Sequence, residues 1–243
     1  MFMASVQEAP VARELEREAL RLSMRLRDAS PLEILACARE TQAGRLAAVS
    51  SFGTESAVLL HMIAQVDPGL PILFLDTGMM FSETLEYRDT LVARLGLTDV
   101  RTLTPDPTDR RLRDPDDALW SEQPDACCAL RKVEPLERGL APFSAWINGR
   151  KRYQAATRAH IPAVEFEAGR LKFNPLAALG PAELNGWMRA HDLPEHPLKA
   201  FGFLSIGCMP CTSRVKPGED ARAGRWRGQG KTECGIHVHK SAD

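Results

Sequence analysis

Hydrophobic and polar positions follow two periods along this chain, and each change of period marks an element. Residues 7–28 place Val11, Leu15, Ala19, Leu22 and Leu26 at helical spacing with charges between them, which predicts an amphipathic helix. Ser30-Pro31-Leu32-Glu33 has the form of a capping box with proline at the first helical position, predicting a second helix to about Glu40. Residues 45–50 are an apolar run of strand length, followed by the turn Ser51-Phe52-Gly53-Thr54-Glu55-Ser56 and a helical pattern over 57–66. A second apolar run, 71–75, ends in Asp76-Thr77-Gly78 and leads to a helix over 82–95, and 100–103 reads as a third strand. Strand and helix alternating at this spacing predict an α/β fold: a doubly wound, mainly parallel sheet with helices on both faces. Ligands of such sheets sit at the carboxyl ends of the strands.

The second half is less regular. Residues 104–124, rich in Pro, Asp and Arg, predict a loop with a short helix around Leu119, and 125–136 read as helical at least until Pro135. A fourth strand over 143–147 precedes the basic turn Asn148-Gly149-Arg150-Lys151-Arg152, with Gln154 and Arg158 beyond it. Residues 164–167 and 171–173 predict a hairpin or two edge strands, and a helix runs from Pro181 to near His191. After Pro194 the pattern fades into a glycine-rich, basic tail. With no repeat and no linker, the expectation is one domain over 1–243, its core at about 40–205 and a tail over 206–243.

Composition narrows the class of function. A net charge of −1 on 243 residues gives no reason to expect nucleic-acid or membrane-surface binding. No segment approaches the roughly 18 apolar residues of a spanning helix, and the first residues lack the apolar run of a signal peptide. The expected compartment is therefore the cytoplasm, where clustered cysteines more often mean metal or catalysis than disulfides.

Five of the six cysteines fall in two places, Cys127-Cys128 and the last third of the chain, while Cys37 reads as a small buried hydrophobe. Cys127, Cys128, Cys208 and Cys211 supply four thiolates, enough for a tetrahedral zinc site or a [4Fe–4S] cluster. Neighbouring helical side chains diverge by about 100°, which favours the wider corners of a cluster, with zinc and unliganded thiols as alternatives. Lys132, one turn after Cys128, would moderate the charge of a four-thiolate group. Cys234 stands apart, with Lys231, His237 and His239 nearby in a glycine-flanked segment. It is either a reactive thiol supported by cations or an inert exposed cysteine. The histidines read as solvated or substrate-side groups, since four thiolates already complete a metal site. Arg222 and Arg225 could clamp a sulfate or phosphate, or form a solvated basic face. The Ser51–Ser56 turn runs from a strand into a helix N-terminus, where unpaired N–H groups attract anions, although the lysine of a triphosphate-cradling loop is absent. Asp76 either accepts hydrogen bonds from a base or ribose, or caps the next helix.

Taken together these blocks make the chain recognisable. Over roughly residues 40–239 it resembles the assimilatory adenylylsulfate reductases, thioredoxin-dependent relatives of phosphoadenylylsulfate reductase. The resemblance rests on Ser50–Ser56, Leu75-Asp76-Thr77-Gly78, Cys127-Cys128 with Arg131-Lys132-Val133, Lys172-Phe173-Asn174-Pro175-Leu176, Ser205 through Thr212, Pro217-Gly218-Glu219-Asp220, Arg222 through Trp226, and Glu233-Cys234-Gly235-Ile236-His237. It implies reduction of adenosine 5′-phosphosulfate to sulfite and AMP, with Cys234 as nucleophile and thioredoxin or glutaredoxin as reductant. It also implies a [4Fe–4S] cluster on Cys127, Cys128, Cys208 and Cys211, and a homo-oligomer. Lys132, Arg222, Arg225 and His237 match the groups around the phosphosulfate. Ser51, Phe52, Gly53, Ser56, Leu75, Asp76 and Thr77 match the nucleotide-binding segments, with Arg152 and Gln154 from the basic loop.

Two departures from the family pattern stand out. Lys151 and Tyr153 occupy basic-loop positions where the family usually has other residues, and the segment from Trp226 to Lys231 is short and lacks the usual aromatic cluster. Three alternatives remain at this level: reduction of the 3′-phosphorylated nucleotide or of both, an ATP-pyrophosphatase or thiolating ligase, and a zinc-stabilised binding module.

Overall fold

Among the described residues, six strands form one sheet: β1 (Leu46–Ser50), β2 (Ile72–Leu75), β3 (Val100–Leu103), β4 (Ala145–Ile147), β5 (Val164–Glu167) and β6 (Arg170–Phe173). They lie in the order β3-β2-β1-β4-β6-β5, every pairing parallel except the β5–β6 edge hairpin. The structure is a computed structural model that describes residues 5–231 and 233–237, with backbone alone over 5–10. The helices are α1 (Ser5–Arg25), α2 (Pro31–Thr41), α3 (Ser56–Val66), α4 (Ser82–Leu95), α5 (Pro107–Arg113), α6 (Leu119–Glu122), α7 (Pro124–Cys128), α8 (Glu134–Leu140) and α9 (Pro181–Ala190).

Helices cover the sheet on both sides, so β1 and β2 are buried along their whole length and read as unbroken apolar runs. The pleat still sorts their side chains. Ala48, Ile72 and Phe74 face the larger core with α1 to α4 and α9, while Ala47, Val49, Leu73 and Leu75 face Leu136 and Leu140 of α8. Local chemistry sets several boundaries. Ser30 Oγ accepts from Glu33 N at 3.3 Å and Glu33 Oε2 accepts from Ser30 N at 2.7 Å, the reciprocal box that starts α2. Gly96, at φ 63°, ends α4 in the left-handed conformation that costs a glycine little.

Helical structure, expected at least until Pro135, continues beyond it to Leu140. A π-helical turn over Ala129–Val133 joins α7 to α8, and Glu134 N donates to Ala129 O five residues back. The missing proline N–H thus falls at the seam between two hydrogen-bond registers, where it interrupts little. The region 104–124 also contains α5, started by Asp106 accepting from Thr108 N at 2.8 Å and Asp109 N at 3.1 Å, with Pro107 in the first turn. That N-cap signal was present in the sequence, hidden among many other polar residues.

His196 tethers the approach to the tail. It is 1% exposed, shares a 3.0 Å hydrogen bond with Thr84 Oγ1 of α4 and accepts from Leu198 N at 3.2 Å. Burial lowers its pKa to about 4, with Glu83 opposing. The unfolded chain takes up a proton at His196 below about pH 6.5 and the folded one only near pH 4, so stability is lost as pH falls through that window. Between pH 7 and pH 5 this group should cost about 2 kcal/mol. Urea titrations at the two pH values should show that loss, and His196→Asn should flatten it.

Candidate active site

The chain runs from β1 outward to β2 and β3 in one direction and from β4 to β6 in the other, so the sheet order reverses between β1 and β4. In an open α/β sheet the crevice at such a reversal, beyond the carboxyl ends of the strands, is where ligands bind. A cavity of about 440 Å³ lies there, lined by Val49 and Ser50 of β1, Trp146 of β4, the turns after both strands, and the tail.

The turn after β1 contributes Ser51, Gly53, Glu55 and Ser56, at the N-terminus of α3. Phe52, at φ 49° and wholly buried, packs edge-on against Phe74 with ring centroids 5.4 Å apart. Its ring anchors the turn in the core, and the polar neighbours are left facing the cavity. Thr54 Oγ1 donates to Leu204 O at 2.8 Å, tying this turn to the start of the tail.

The segment after β4 supplies the cations. Asn148 and Asn174, both buried at adjacent strand ends, are joined by a 2.8 Å bond from Asn148 Nδ2 to Asn174 Oδ1. Asn148 Oδ1 receives Arg150 N at 3.0 Å, and the Arg150 guanidinium pairs with Glu165. Lys151 Nζ and Gln154 Nε2 reach Glu55 Oε2 at 2.7 and 2.8 Å, and Tyr153 Oη donates to Oε1 of the same carboxylate. Burial would raise the Glu55 pKa, but Lys151 and these donors outweigh it and hold the carboxyl below its ordinary value. Burial and repulsion from Arg158 bring Arg150 down to about 10.

The four thiols expected to act together do gather. Cys127, Cys128, Cys208 and Cys211 are all buried and none is in a disulfide. Burial, with Cys128 and Cys208 nearby, pushes the Cys127 thiol up to about 12. The π-helical turn directly follows the cysteine pair, and Arg131 within it is 1% exposed. Its Nη2 reaches Asp114 Oδ2 at 2.5 Å and its Nη1 donates to Thr77 O at 2.8 Å, clamping the turn to the end of β2. Thr77 Oγ1 lies 3.2 Å from Cys208 Sγ, so the second cysteine pair meets the same strand end. Among the described residues no group of three or more His, Cys, Asp or Glu is placed to hold a metal ion. The four buried, uncrosslinked thiols, with Lys132 close by, are a soft donor set.

Lys132 lies between the two kinds of sulfur. Burial opposes its charge, but the thiolates of Cys208, Cys234 and Cys128 outweigh burial and raise its pKa. Arg225 places its guanidinium 4.4 Å from the Trp226 ring centroid and occupies the space over Gly207 that any Cβ there would fill. His237 lines the cavity with its ring stacked on Trp146, centroids 6.0 Å apart and planes within 1°. Burial, reinforced by Lys172, Arg150, Arg158 and Arg222, holds it well below the usual histidine pKa.

Placement of the expected residues is uneven. Cys234, Lys132, Arg222, Arg225, His237, Ser51, Gly53, Ser56, Leu75 and Gln154 line one cavity. Phe52 faces the core, and Thr77 is buried against Cys208. Asp76 caps its own turn, Oδ1 accepting from Gly78 N at 2.9 Å, and does not line the cavity. Arg152 is exposed, with Nε donating to Ile161 O at 3.0 Å, and also lies outside the lining. In its place Arg150, Lys151 and Arg158 line the cavity. Glu55, Glu233 and Trp146 were not singled out from sequence, since no local pattern reveals a partner about a hundred residues away. His239 lies outside the described residues.

Residues 45–214 match the phosphoadenosine phosphosulfate reductase domain. A protein of Mesorhizobium japonicum named adenosine 5′-phosphosulfate reductase is 56% identical over 209 residues, 86% of this chain and 82% of that one. One of the same name from a Chelativorans species is 51% identical, over 94% of both chains. A crystal structure of phosphoadenylyl-sulfate reductase from Candida auris, a phosphate complex, superposes with a TM-score of 0.69 at 27% identity, over 82% of this chain and 97% of that one.

The Arg131–Asp114 pair, 1% and 2% exposed, offers a direct test of how the cysteine turn is held. Asp114→Ala leaves a buried guanidinium short of its main counter-charge and should cost about 3–5 kcal/mol, read as a lowered urea midpoint.

Proposed function

The chain belongs to the phosphoadenosine phosphosulfate reductase domain family, and from that premise we propose that it reduces adenosine 5′-phosphosulfate to sulfite and AMP. The observation that carries the reading is the position of Cys234. It lines the crevice between β1 and β4, in one cavity with Lys132, Arg222, Arg225 and His237.

The nucleotide lies across the turn after β1, where backbone N–H groups at the start of α3 and the hydroxyls of Ser51 and Ser56 meet its anionic part. The Cys234 thiolate attacks the sulfate sulfur, and the bond from sulfur to the bridging oxygen breaks. Its electron pair goes to AMP, and Cys234 is left as S-sulfocysteine. Charge builds on the departing phosphate during this step, and Lys132, Arg222 and Arg225 are fixed around it before the reaction begins. A neutral His237 donates a hydrogen bond there without adding a charge. In the second half, a thiolate of thioredoxin or glutaredoxin attacks the Cys234 sulfur and releases sulfite. The second thiol of the reductant resolves the mixed disulfide, so the enzyme thiol returns and two electrons have passed to sulfur. The cytoplasm supplies such dithiols.

Cys127, Cys128, Cys208 and Cys211 fit a [4Fe–4S] cluster by number, burial and the cations beside them. When bound, the cluster supplies a rigid four-point anchor and a fixed local charge. Lys132 answers that charge on one side and the Cys234 thiolate on the other, which places it between anchor and reaction.

Two side chains favour the nucleotide without a 3′-phosphate. Arg150 and Lys151 are the basic-loop cations available to such a group, and Glu165 and Glu55 already neutralise them. A 3′-phosphate would have to displace a carboxylate or sit beside one. Glu55→Gln should therefore raise kcat/KM for the 3′-phosphorylated nucleotide relative to the unphosphorylated one, by about tenfold for one charge-assisted contact released.

The deciding experiment uses labelled adenosine 5′-phosphosulfate with no reductant. An 80-dalton sulfonate adduct, about the mass of SO₃, should be found on Cys234 by peptide mass spectrometry, with AMP released in equal amount. Cys234→Ser should bind nucleotide, keep the visible absorption expected of the proposed cluster and form no sulfite. Normal turnover by that variant would overturn the mechanism.

A further inference from the structure

We propose that Glu233, Arg158 and Trp146 form a two-point clasp that positions Cys234 over the cavity. The inference rests on Cys234 being the nucleophile and adds positioning residues that the reaction described above does not use.

The anchors bracket the thiol. On one side Glu233 receives a two-pronged contact from Arg158, Nε to Oε1 and Nη2 to Oε2, both at 2.6 Å. The two side chains are 10% and 8% exposed, so the contact is largely shielded from water and from salt. Thr157 Oγ1 and Arg222 Nη2 lie 3.4 Å from the same carboxylate, and Glu233 is held ionised below its ordinary pKa. On the other side His237 lies flat on Trp146, and Lys172 Nζ stands 4.7 Å from that indole centroid, fixing the platform. Between the anchors, a Cβ on Gly235 would come within 3.0 Å of Val133 Cγ2, so the tail backbone presses against the turn that follows the cysteine pair. Cys234 therefore has little freedom while both anchors hold.

The polar anchor also reaches the nucleotide turn. Arg158 Nη1 donates to Gln154 Oε1 at 2.7 Å, and Gln154 Nε2 donates to Glu55 Oε2 at 2.8 Å. Tail position and the turn after β1 thus share one chain of hydrogen bonds. An ion pair and a ring stack are firm enough to aim a thiol and weak enough to open for a protein dithiol.

The test follows alkylation of Cys234 by iodoacetamide on the full-length protein as isolated, without nucleotide, scored on the Cys234 peptide by mass spectrometry. Glu233→Gln should raise the alkylation rate about tenfold or more, the loss expected for one charge-assisted hydrogen bond. Arg158→Gln should do the same, the double variant should react no faster than either single one, and Trp146→Phe should give a smaller rise from the second anchor. With nucleotide present, Glu233→Gln should form S-sulfocysteine more slowly while binding nucleotide as tightly as the parent protein. Unchanged alkylation in Glu233→Gln and Trp146→Phe, or additive effects in the double variant, would overturn the clasp. Absence of sulfonated Cys234 in the parent protein would instead overturn the reaction, and the alkylation rates would still decide the clasp.

Discussion

The structure depends on gathering positive charge in one crevice without letting that charge push the crevice apart. Lys132, Arg150, Lys151, Arg158, Arg222 and Arg225 all line one cavity. A buried charge without a partner is expensive, and cations crowded together repel as well. The fold answers with carboxylates from separate parts of the chain: Glu165 from the edge hairpin for Arg150, Glu55 from the first turn for Lys151, and Glu233 from the tail for Arg158. For Lys132 the counter-charges are sulfurs, and Arg225 rests against the Trp226 ring. Closing the tail over the cavity is thus part of the same electrostatic balance that keeps the cavity folded.

Backbone irregularity does corresponding work for the sulfurs. Two adjacent cysteines on a regular helix point in different directions, and a helix that must also pass Pro135 would ordinarily break there. The π-helical turn between Cys128 and Glu134 absorbs the proline and buries Arg131, which then grips Asp114 and the carbonyl of Thr77. Through Thr77 the same strand end meets Cys208. The cysteine pair and the C-x-x-C are therefore held to one point on the sheet, rather than to each other alone.

These two arrangements meet at the tail. Gly207 and Gly224 matter because neighbours fill the space of a side chain, Arg225 over the first and the Ser213 carbonyl against the second. They fold the segment after Cys211 back on itself, so that Arg222, Arg225 and Cys234 arrive at the crevice from a stretch with little regular structure. Reactivity at Cys234 then owes more to where the chain is pinned than to any one neighbour.

Much of this protein was legible from its residues in order. Apolar runs of strand length and helical periodicity located β1, β2, α3 and α4 within a residue or two, because burial on both faces of a parallel sheet forces continuous hydrophobic strands in β1 and β2. The spacing of the cysteines separated a set of four from a lone fifth, and the blocks around them were specific enough to indicate the family. What linear order does not carry is which distant side chains face each other. Arg152 was expected at the cavity and turns away, Asp76 is occupied with its own backbone, and Arg158 takes the inward place. Glu55 and Glu233 were only letters within motifs until the fold brought cations to them from about a hundred and about seventy-five residues away. Periodicity and spacing are local properties, fixed by backbone geometry and burial. Pairing of charges is decided by the crossing of elements in space, and only the tertiary structure could decide it.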